Sequence, residues 1–316
     1  MYHWIPFWPD TAAVNAVVVN NLYIAELGLS GLIMVTVVAM MLTFCIRYRK
    51  AASNSRADLE TKTWRFEILW TVATLGAFLI LFVWGAQVYI WLYKPPPADE
   101  EVYVVGKQWM WKVEHPGGQR EIDALHVPVN KVVRLVMASE DVIHSFFVPA
   151  FRIKHDVVPG TLETLWFKAT KTGIFRLECT QYCGLQHATM QGEIVVMEAP
   201  DYANWLDSQG VEESLAQQGA ELFRAHGCSG CHGKNSTIIH APSLTGLYGT
   251  VVHLQDGSIR VADEAYLRDC ILNPRSFTVA GYPPVMPDFS GQLGEGDLLK
   301  LIAYIKSLGG KREAGR

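Results

Sequence analysis

Two long runs without a charged side chain lie in the first hundred residues of this 316-residue chain. The first runs from Leu27 to Ile46 and the second from Ile68 to Tyr93. Each reaches the roughly 20 apolar residues that a helix needs to cross the hydrocarbon core of a bilayer. The alternative, a pair of buried core helices, is disfavoured because both runs are apolar on every helical face. We therefore expect a two-helix transmembrane hairpin.

Basic residues flank the two runs unevenly, which predicts how the hairpin is oriented. No Lys or Arg precedes the first run and only Lys94 closely follows the second, whereas six lie between the runs: Arg47, Arg49, Lys50, Arg56, Lys62 and Arg65. By the positive-inside rule, the connecting loop is cytoplasmic and both termini lie outside the cytoplasmic membrane of a bacterium. The N-terminus lacks the charged region of a cleavable signal peptide, so we expect the first span to remain as an anchor.

The rest of the chain changes its apolar period twice. The segment KPPPADE, which begins at Lys94, ends the second helix because proline removes a hydrogen-bond donor and clashes with the preceding turn. Short β-branched runs then predict an all-β sandwich, and helical periodicity returns from Leu215. We expect a multidomain membrane protein with a hairpin segment (1–97), a sandwich (98–198), a linker (199–213) and an all-α domain (214–316). The net charge of −4 argues against a nucleic-acid partner.

The stretch CTQYCGLQHATM, from Cys179 to Met190, concentrates soft metal ligands. A structural zinc site uses more closely spaced cysteine pairs and no methionine, whereas a thioether suits copper. A disulfide is chemically permitted outside the membrane but would leave the histidine and methionine without a role. Because two thiols are present, two coppers bridged by both sulfurs explain the cluster most economically. A second imidazole is available from His144 on another predicted strand, whereas His115, His126 and His155 are expected to be surface or packing residues.

The segments EILWT, GKQWMWKVE, DVIHSFFVPAF, KHDVVPG and CTQYCGLQHATM occur in an order that resembles subunit II of haem-copper cytochrome c oxidases. The resemblance covers roughly residues 24–198 and implies a cupredoxin sandwich with a binuclear copper A site behind a membrane hairpin. It assigns the copper ligands to His144, Cys179, the backbone carbonyl of Gln181, Cys183, His187 and Met190.

The same resemblance implies roles for three further positions. Trp109 would receive electrons from a cytochrome, although an aromatic side chain that packs the sandwich is a serious alternative. Glu67 would lie at the cytoplasmic mouth of a proton path, or would simply favour the start of a helix. The family usually has glutamate where this chain has Gln181, and a neutral amide is a poorer ligand for magnesium, so an interfacial magnesium ion is doubtful.

The sequence CSGCH, from Cys228 to His232, is a C-x-x-C-H motif that attaches one haem c through two thiols and ligates its iron through the histidine. A redox-active C-x-x-C pair is the alternative, which the adjacent histidine disfavours. Met286 in GYPPVMPDF is the candidate for the second axial ligand. The region resembles class I cytochromes c, which implies that the Pro242 carbonyl orients His232. The stretch from Val251 to Tyr266 reads as a small hairpin without a role, and Cys45 and Cys270 as buried apolar residues.

Together these features predict the second subunit of a caa-type terminal oxidase that reduces oxygen to water. Electrons would pass from an external donor, such as a cytochrome c or an upstream respiratory complex, through haem c and copper A to subunit I. The spans contain no histidine, so the oxygen-reducing haem and copper belong to a partner subunit. The alternatives are a copper A subunit of a nitric oxide reductase and a membrane-anchored electron shuttle. A nitrous oxide reductase would need a large extra domain, and quinol oxidases lack the copper ligands.

Overall fold

The computed structural model describes residues 8–49, 63–210, 213–233 and 241–309. It separates into two compact units, one formed by residues 14–95 and the other by residues 1–13 and 96–316. The basic residues Lys50, Arg56 and Lys62, on which the orientation of the hairpin partly depends, lie outside the described residues. The division of the chain into four parts stays a prediction.

The first unit consists of two long helices, α1 (Val14–Arg47) and α2 (Trp64–Tyr93). Both are long and apolar enough to cross a membrane, and none of their most apolar windows is buried within the chain. Helix α1 begins 13 residues before Leu27, where the uncharged run starts, because the single charge of Glu26 interrupts the run but not the helix. At 1.5 Å per residue, helices of 34 and 30 residues exceed the roughly 30 Å of hydrocarbon that they must cross.

The predicted sandwich is present and contains ten strands: β1 (Glu100–Lys107), β2 (Met110–Glu114), β3 (Arg120–Ile122), β4 (Ala124–Pro128), β5 (Val132–Ser139), β6 (His144–Val148), β7 (Ile153–Val157), β8 (Glu163–Lys168), β9 (Gly173–Cys179) and β10 (Gln191–Met197). They form two five-stranded sheets, in the orders β3-β2-β1-β5-β8 and β4-β10-β9-β6-β7. The pairs β1 with β5 and β4 with β10 are parallel, and the other pairs are antiparallel.

The sandwich core forms because side chains alternate between the two faces of each strand. Val102 and Val104 of β1 and Leu135 of β5 point into a core that also buries Trp111 and Phe146 completely. Three of the predicted copper ligands, Cys179, Cys183 and Met190, belong to the same buried cluster. The metal-binding loop is therefore supported by a rigid, close-packed scaffold.

The predicted linker is more ordered than a helical turn, since helix α3 (Ala199–Ser208) packs against the sandwich. The ring of Trp205 stacks on His126 at a centroid distance of 4.4 Å, and the hydroxyl of Tyr202 lies 3.2 Å from Nδ1 of His115. Glu121 lies between these histidines, with carboxylate oxygens 2.8 Å from Nε2 of His115 and 2.5 Å from Nδ1 of His126. The prediction that His115 and His126 are packing residues agrees with these contacts.

The C-terminal domain is helical, with α4 (Leu215–Ala225), α5 (Ser229–His232), α6 (Glu264–Leu272) and α7 (Glu295–Ser307). Helix α4 begins with a capping box, in which Ser214 accepts a hydrogen bond from the backbone of Gln217 and the Gln217 side chain accepts one from the backbone of Ser214. Helices α4 and α7 cross closely at Gly219, where an added Cβ would lie 2.0 Å from the carbonyl oxygen of Lys300. Only glycine permits this approach.

The predicted hairpin is formed by β11 (Val251–His253) and β12 (Ile259–Val261). It is shorter than predicted, because the last three residues of the stretch already belong to α6, whose first turn is capped by Asp263.

Candidate copper and haem sites

The predicted copper ligands converge at one end of the sandwich. The Sγ atoms of Cys179 and Cys183 are 3.8 Å apart, and a nitrogen of His144 lies within 4.8 Å of both. Cys179 ends strand β9, Cys183 lies in the loop that follows, and His144 begins β6. Strands β6 and β9 are paired, so the ladder brings His144 to the cysteine loop across 35 residues of chain.

The rest of the loop folds back over the two sulfurs. Nδ1 of His187 lies 3.5 Å from Sγ of Cys183, and Sδ of Met190 lies 3.8 Å from the same sulfur. The backbone oxygen of Gln181 lies 3.4 Å from Sγ of Cys179, while the Gln181 side chain is exposed. The structure thus brings all six predicted ligand groups together.

A buried imidazole nitrogen in this cluster has no hydrogen-bond partner. His144 is fully buried, and its Nδ1 makes no hydrogen bond. Its other nitrogen, Nε2, lies 2.8 Å from Oδ1 of Asp141. A buried polar atom without a partner is costly, whereas a ring fixed by a carboxylate on one nitrogen presents the other to a metal. The orphaned Nδ1 therefore fits a metal ligand.

Sequence reasoning missed Asp141, the carboxylate that fixes this ring. Burial by itself would raise the pKa of Asp141, but the backbone N–H of Gln108 at 2.7 Å, the His144 ring and the backbone N–H of Val142 hold that pKa below its usual range. The carboxylate is therefore ionised and accepts three hydrogen bonds. Its position three residues before a candidate ligand was the only signal for it in the sequence.

The two thiols resist carrying two negative charges at once. Burial raises the pKa of Cys179, but the neighbouring His144 ring and the Ser145 backbone outweigh burial and lower the pKa to about 6. Burial and the charge of Cys179 raise the pKa of Cys183 to about 12. A bound cation relieves this repulsion, and a set of two thiolates, two imidazoles and a thioether suits copper better than zinc.

Trp109 lies against the copper loop. Its Nε1 donates a hydrogen bond to the carbonyl oxygen of Cys183 at 3.1 Å, and Nε2 of Gln108 donates to the same oxygen at 2.8 Å. Gly184 follows with a φ of +114° and approaches both side chains so closely that a Cβ would lie 2.9 Å from Gln108 and 3.3 Å from Trp109. The indole is half-buried and packs against the sandwich core, so both its predicted role and its packing alternative fit this position.

The predicted haem residues line one cavity of the helical domain. Cys228, Cys231, His232 and Met286 contribute to its wall together with apolar side chains from α4, α6 and α7, which include Phe223, Leu267, Ile271, Leu301 and Ile305. Nδ1 of His232 lies 3.0 Å from the carbonyl oxygen of Pro242, as the resemblance implied. That contact leaves Nε2 available to an iron ion. Two thiols, an oriented imidazole and a thioether around an apolar cavity fit a covalently bound haem.

Three other residues considered in the sequence analysis supply no candidate ligand to either site. Glu67 lies in the first turn of α2 and is exposed, and its carboxylate accepts a hydrogen bond of 2.5 Å from the hydroxyl of Thr63. Cys45 is exposed on α1 rather than buried, because α1 presents this face to its surroundings. Cys270 is partly buried and lines the haem cavity, so the expectation of a small packing residue holds only approximately.

Comparison with known proteins identifies the family of this chain. Residues 119–199 match the family described as cytochrome C oxidase subunit II, periplasmic domain, and residues 216–309 match the family cytochrome c. The chain is 30% identical over 295 residues to cytochrome c oxidase subunit 2 of Alkalihalophilus pseudofirmus, which covers 88% of this chain and 83% of that protein. The chain belongs to the cytochrome c oxidase subunit 2 family. It is the form of this subunit that carries a C-terminal cytochrome c domain.

Two further similarities accompany this one. The alternative cytochrome c oxidase subunit 2 of Bradyrhizobium diazoefficiens is 25% identical over 246 residues, which cover 68% of this chain and 88% of that protein. The crystal structure of the periplasmic domain of subunit II of cytochrome oxidase from Bradyrhizobium japonicum is 37% identical, covers 37% of this chain and 96% of that chain, and gives a TM-score of 0.36. A subunit of cytochrome c oxidase is part of an oxidoreductase, and its outer domain is anchored by the two apolar helices.

Proposed function

We propose that this subunit supplies electrons to the oxygen-reducing subunit I of a caa-type terminal oxidase, through one haem c in its C-terminal domain and then through a binuclear copper A site in its sandwich. The observation that carries the proposal is the convergence of six ligand groups, which include two sulfurs 3.8 Å apart. When bound, the haem and the copper pair each supply a centre that takes up and releases single electrons. Oxygen would be reduced to water in the partner subunit.

The protein's part in this function is to hold the ligands still. Cys179 and Cys183 would supply two thiolates to the copper pair, His144 and His187 two imidazoles, Met190 a weak thioether and Gln181 a backbone carbonyl. The buried sandwich core and the carboxylate of Asp141 fix these groups before any metal binds. Rigid ligands favour electron transfer because little must rearrange when an electron arrives.

The helical domain holds its cofactor in a different way. Cys228 and Cys231 would bind the haem covalently, and His232 and Met286 would ligate the iron. The Pro242 carbonyl holds the His232 ring in place. Ligation by histidine and methionine raises the haem potential, which suits a donor to copper.

Trp109 and Glu67 receive roles that their positions support. We assign electron input to Trp109, because its indole donates a hydrogen bond to the carbonyl of the copper ligand Cys183. We assign the mouth of a proton path to Glu67, which is an exposed carboxylate at the end of a membrane helix. Substitution of Trp109 distinguishes electron input from packing, and substitution of Glu67 distinguishes a proton path from helix capping.

The basic residues at the helix ends indicate on which side of the membrane the redox domains lie. Arg47 and Arg65 next to the helix ends favour a cytoplasmic loop, so both redox domains would lie on the outer face of a bacterial cytoplasmic membrane. The external donor would be a cytochrome c or an upstream respiratory complex. Gln181 offers a neutral amide, so we expect no tight magnesium site that depends on its side chain.

The decisive experiment is oxygen uptake by the detergent-solubilised complex purified through this chain and supplied with reduced cytochrome c. Cyanide-sensitive uptake is the expected result. Uptake of nitric oxide in its place would support the nitric oxide reductase, which family membership disfavours. A preparation that contains haem c and copper but consumes neither gas would support the electron shuttle.

A further inference from the structure

One face of the sandwich is covered by the helical domain. Strand β1 is apolar on both faces: Val102 and Val104 point into the sandwich core, whereas Tyr103 and Val105 point away from it. Tyr103 is nevertheless only 3% exposed. The outward residues of β1 form a separate apolar cluster with Val136 of β5, Leu215 of α4 and Leu299 of α7.

A cluster of charged side chains borders this apolar contact. The carboxylate of Glu264, at the start of α6, contacts Arg134 of β5 and the hydroxyl of Tyr248, and lies 2.8 Å from Nζ of Lys306. Lys306, near the end of α7, also lies 2.5 Å from Oε1 of Glu101 on β1. We call Glu101, Arg134, Glu264 and Lys306 the ionic latch, since each domain contributes one acid and one base.

The latch is shielded from water. The side chain of Glu264 is 8% exposed, and that of Lys306 is 18% exposed. Burial by itself would lower the pKa of Lys306, but Glu101 and Glu264 hold that pKa above its ordinary value. Ion pairs removed from water are screened less by salt than pairs at the surface, and loss of one partner leaves an uncompensated buried charge.

Further contacts lie on either side of the latch. The guanidinium of Arg268 on α6 lies 2.5 Å from Glu295 and donates a second bond of 2.5 Å to the carbonyl of Gly160 in the sandwich. At the opposite edge, Arg120 donates to the side-chain oxygen of Gln218 at 2.8 Å. The helical domain is thus held at three separate places, which a flexible tether would not require.

The strand under the latch also reaches the copper site. Gly106 ends the core-facing series of β1 that contains Val102 and Val104, and an added Cβ there would lie 2.9 Å from Cδ2 of the proposed copper ligand His144. Only about 10 Å of strand separates Tyr103 from Gly106. No hydrogen bond or ion pair between the two domains involves Trp109 in the part of the chain that the structure describes.

We propose that the ionic latch seats the cytochrome domain on strand β1 in the assembled oxidase, so that docking, rather than residues 199–213, fixes the position of the haem cavity relative to the copper ligands. The proposal rests on the proposed function only in naming the two domains as redox domains. The docking itself is a property of the protein and can be measured without electron transfer.

The test is hydroxyl-radical footprinting of the purified oxidase, with oxidation of Tyr103 and Leu299 read by mass spectrometry. In Lys306→Glu, three carboxylates face each other, and we expect oxidation of Tyr103 to rise about tenfold as the domain leaves the sheet. Lys306→Arg keeps the charge and should restore protection. Lys131→Glu makes the same charge change at a surface pair with Asp99 and should leave Tyr103 protected.

Two buried side chains distinguish undocking from unfolding. Trp111 in the sandwich core and Ile302 in the helical core are both fully buried and should stay unreactive in Lys306→Glu. Protection of Tyr103 at the wild-type level in this folded variant would overturn the proposal. If Trp111 and Ile302 also react, the neutral change Glu101→Gln decides: a smaller rise at Tyr103 alone supports the latch, and no rise overturns it. Copper and haem signals, recorded in parallel, report on the proposed function separately.

Discussion

The copper and haem sites are built by opposite strategies. At the candidate copper site, the ligand atoms of His144, Cys179 and Cys183 lie within 4.8 Å of one another, and carboxylate and indole hydrogen bonds support this arrangement. At the haem site, the structure provides an apolar cavity with its ligands on the wall. The proposed copper centre is small, so the position of each ligand atom must be specified, whereas a haem is large and needs mainly a cavity of the right volume.

This difference predicts how each site fails. Loss of one cysteine from the proposed copper pair should remove a shared ligand that nothing else can replace. Loss of one haem ligand leaves a cofactor that is still bound by two covalent links and by its apolar wall. The substitutions below are ordered by the effect that this contrast predicts.

The largest effect is expected for Cys179→Ser. A hydroxyl is a poor ligand for copper, and the two sulfurs lie only 3.8 Å apart, so removal of one should dismantle the proposed bridged pair. Electron paramagnetic resonance should show complete loss of the shared-spin copper signal, while the absorption of haem c is unchanged. Cys45→Ser, on helix α1, is the matched control and should change neither. Loss of both signals in Cys179→Ser would contradict two independent sites.

Met286→Leu should have a large but graded effect. The haem should stay attached, because Cys228, Cys231 and His232 are unchanged, but loss of the thioether should lower the haem potential within the roughly 0.8 V range that axial ligands span. Redox titration followed by visible spectroscopy measures this shift, and Met110→Leu on β2 is the control. An unchanged potential would remove Met286 from the iron.

The sequence predicted the candidate copper ligands better than the residues that support them. Cys179, Cys183, His187 and Met190 lie within twelve residues, and chemistry alone argued for copper. His144 could be proposed as a copper ligand, but its position relative to the cysteines could not be predicted. That position depends on the pairing of two strands 35 residues apart in the chain. Asp141 was missed because a carboxylate in a loop carries no signal until the ring that it holds is in position.

The domain contact was missed for a similar reason, although β1 carried a clue. An antiparallel sandwich strand with one solvated face alternates apolar with polar residues, but EVYVVG is apolar on both faces. Tyr103 and Val105 therefore indicated that another element covers the outer face of β1, but this contact was not predicted. The helices of the C-terminal domain were predicted from their apolar period. The length of α1 was underestimated, because Glu26 ends the uncharged run but not the helix.

Asp141→Asn tests whether the copper ligands depend on their supporting hydrogen bonds. The amide keeps its size but loses the charge that fixes the His144 ring, and such changes typically weaken metal binding roughly 10–100-fold. Copper retention during dialysis against a graded chelator measures the change, and haem absorption should stay constant. Glu114→Gln, at a surface pair with Arg120, is the control. Wild-type retention would show that the scaffold alone orients the ring.

The ionic latch should depend on pH in a defined direction. Burial by itself would raise the pKa of Glu264, but Lys306 and Arg134 lower it from 4.5 to about 2. A carboxyl group whose pKa is lower in the folded protein contributes its stability above pH 4.5 and loses it as pH falls toward 2. The whole shift corresponds to about 3 kcal/mol, of which only the share from Arg134 belongs to docking, because Lys306 lies in the same domain as Glu264. Tyr103 should therefore stay protected from radical oxidation between pH 7 and 5, and exposure within this range would contradict the pairing.

The smallest effect on either redox site is expected for Glu67→Gln, which lies in the membrane-helix unit. Copper and haem spectra should both be identical to those of the wild type, while oxygen turnover slows because a neutral amide cannot release a proton. Thr63→Val removes the hydroxyl that bonds Glu67 and tests the helix-capping alternative. If Glu67→Gln keeps full turnover, the carboxylate serves the helix end only. If Thr63→Val keeps full turnover and Glu67→Gln does not, the acidic proton is what the oxidase needs from this position.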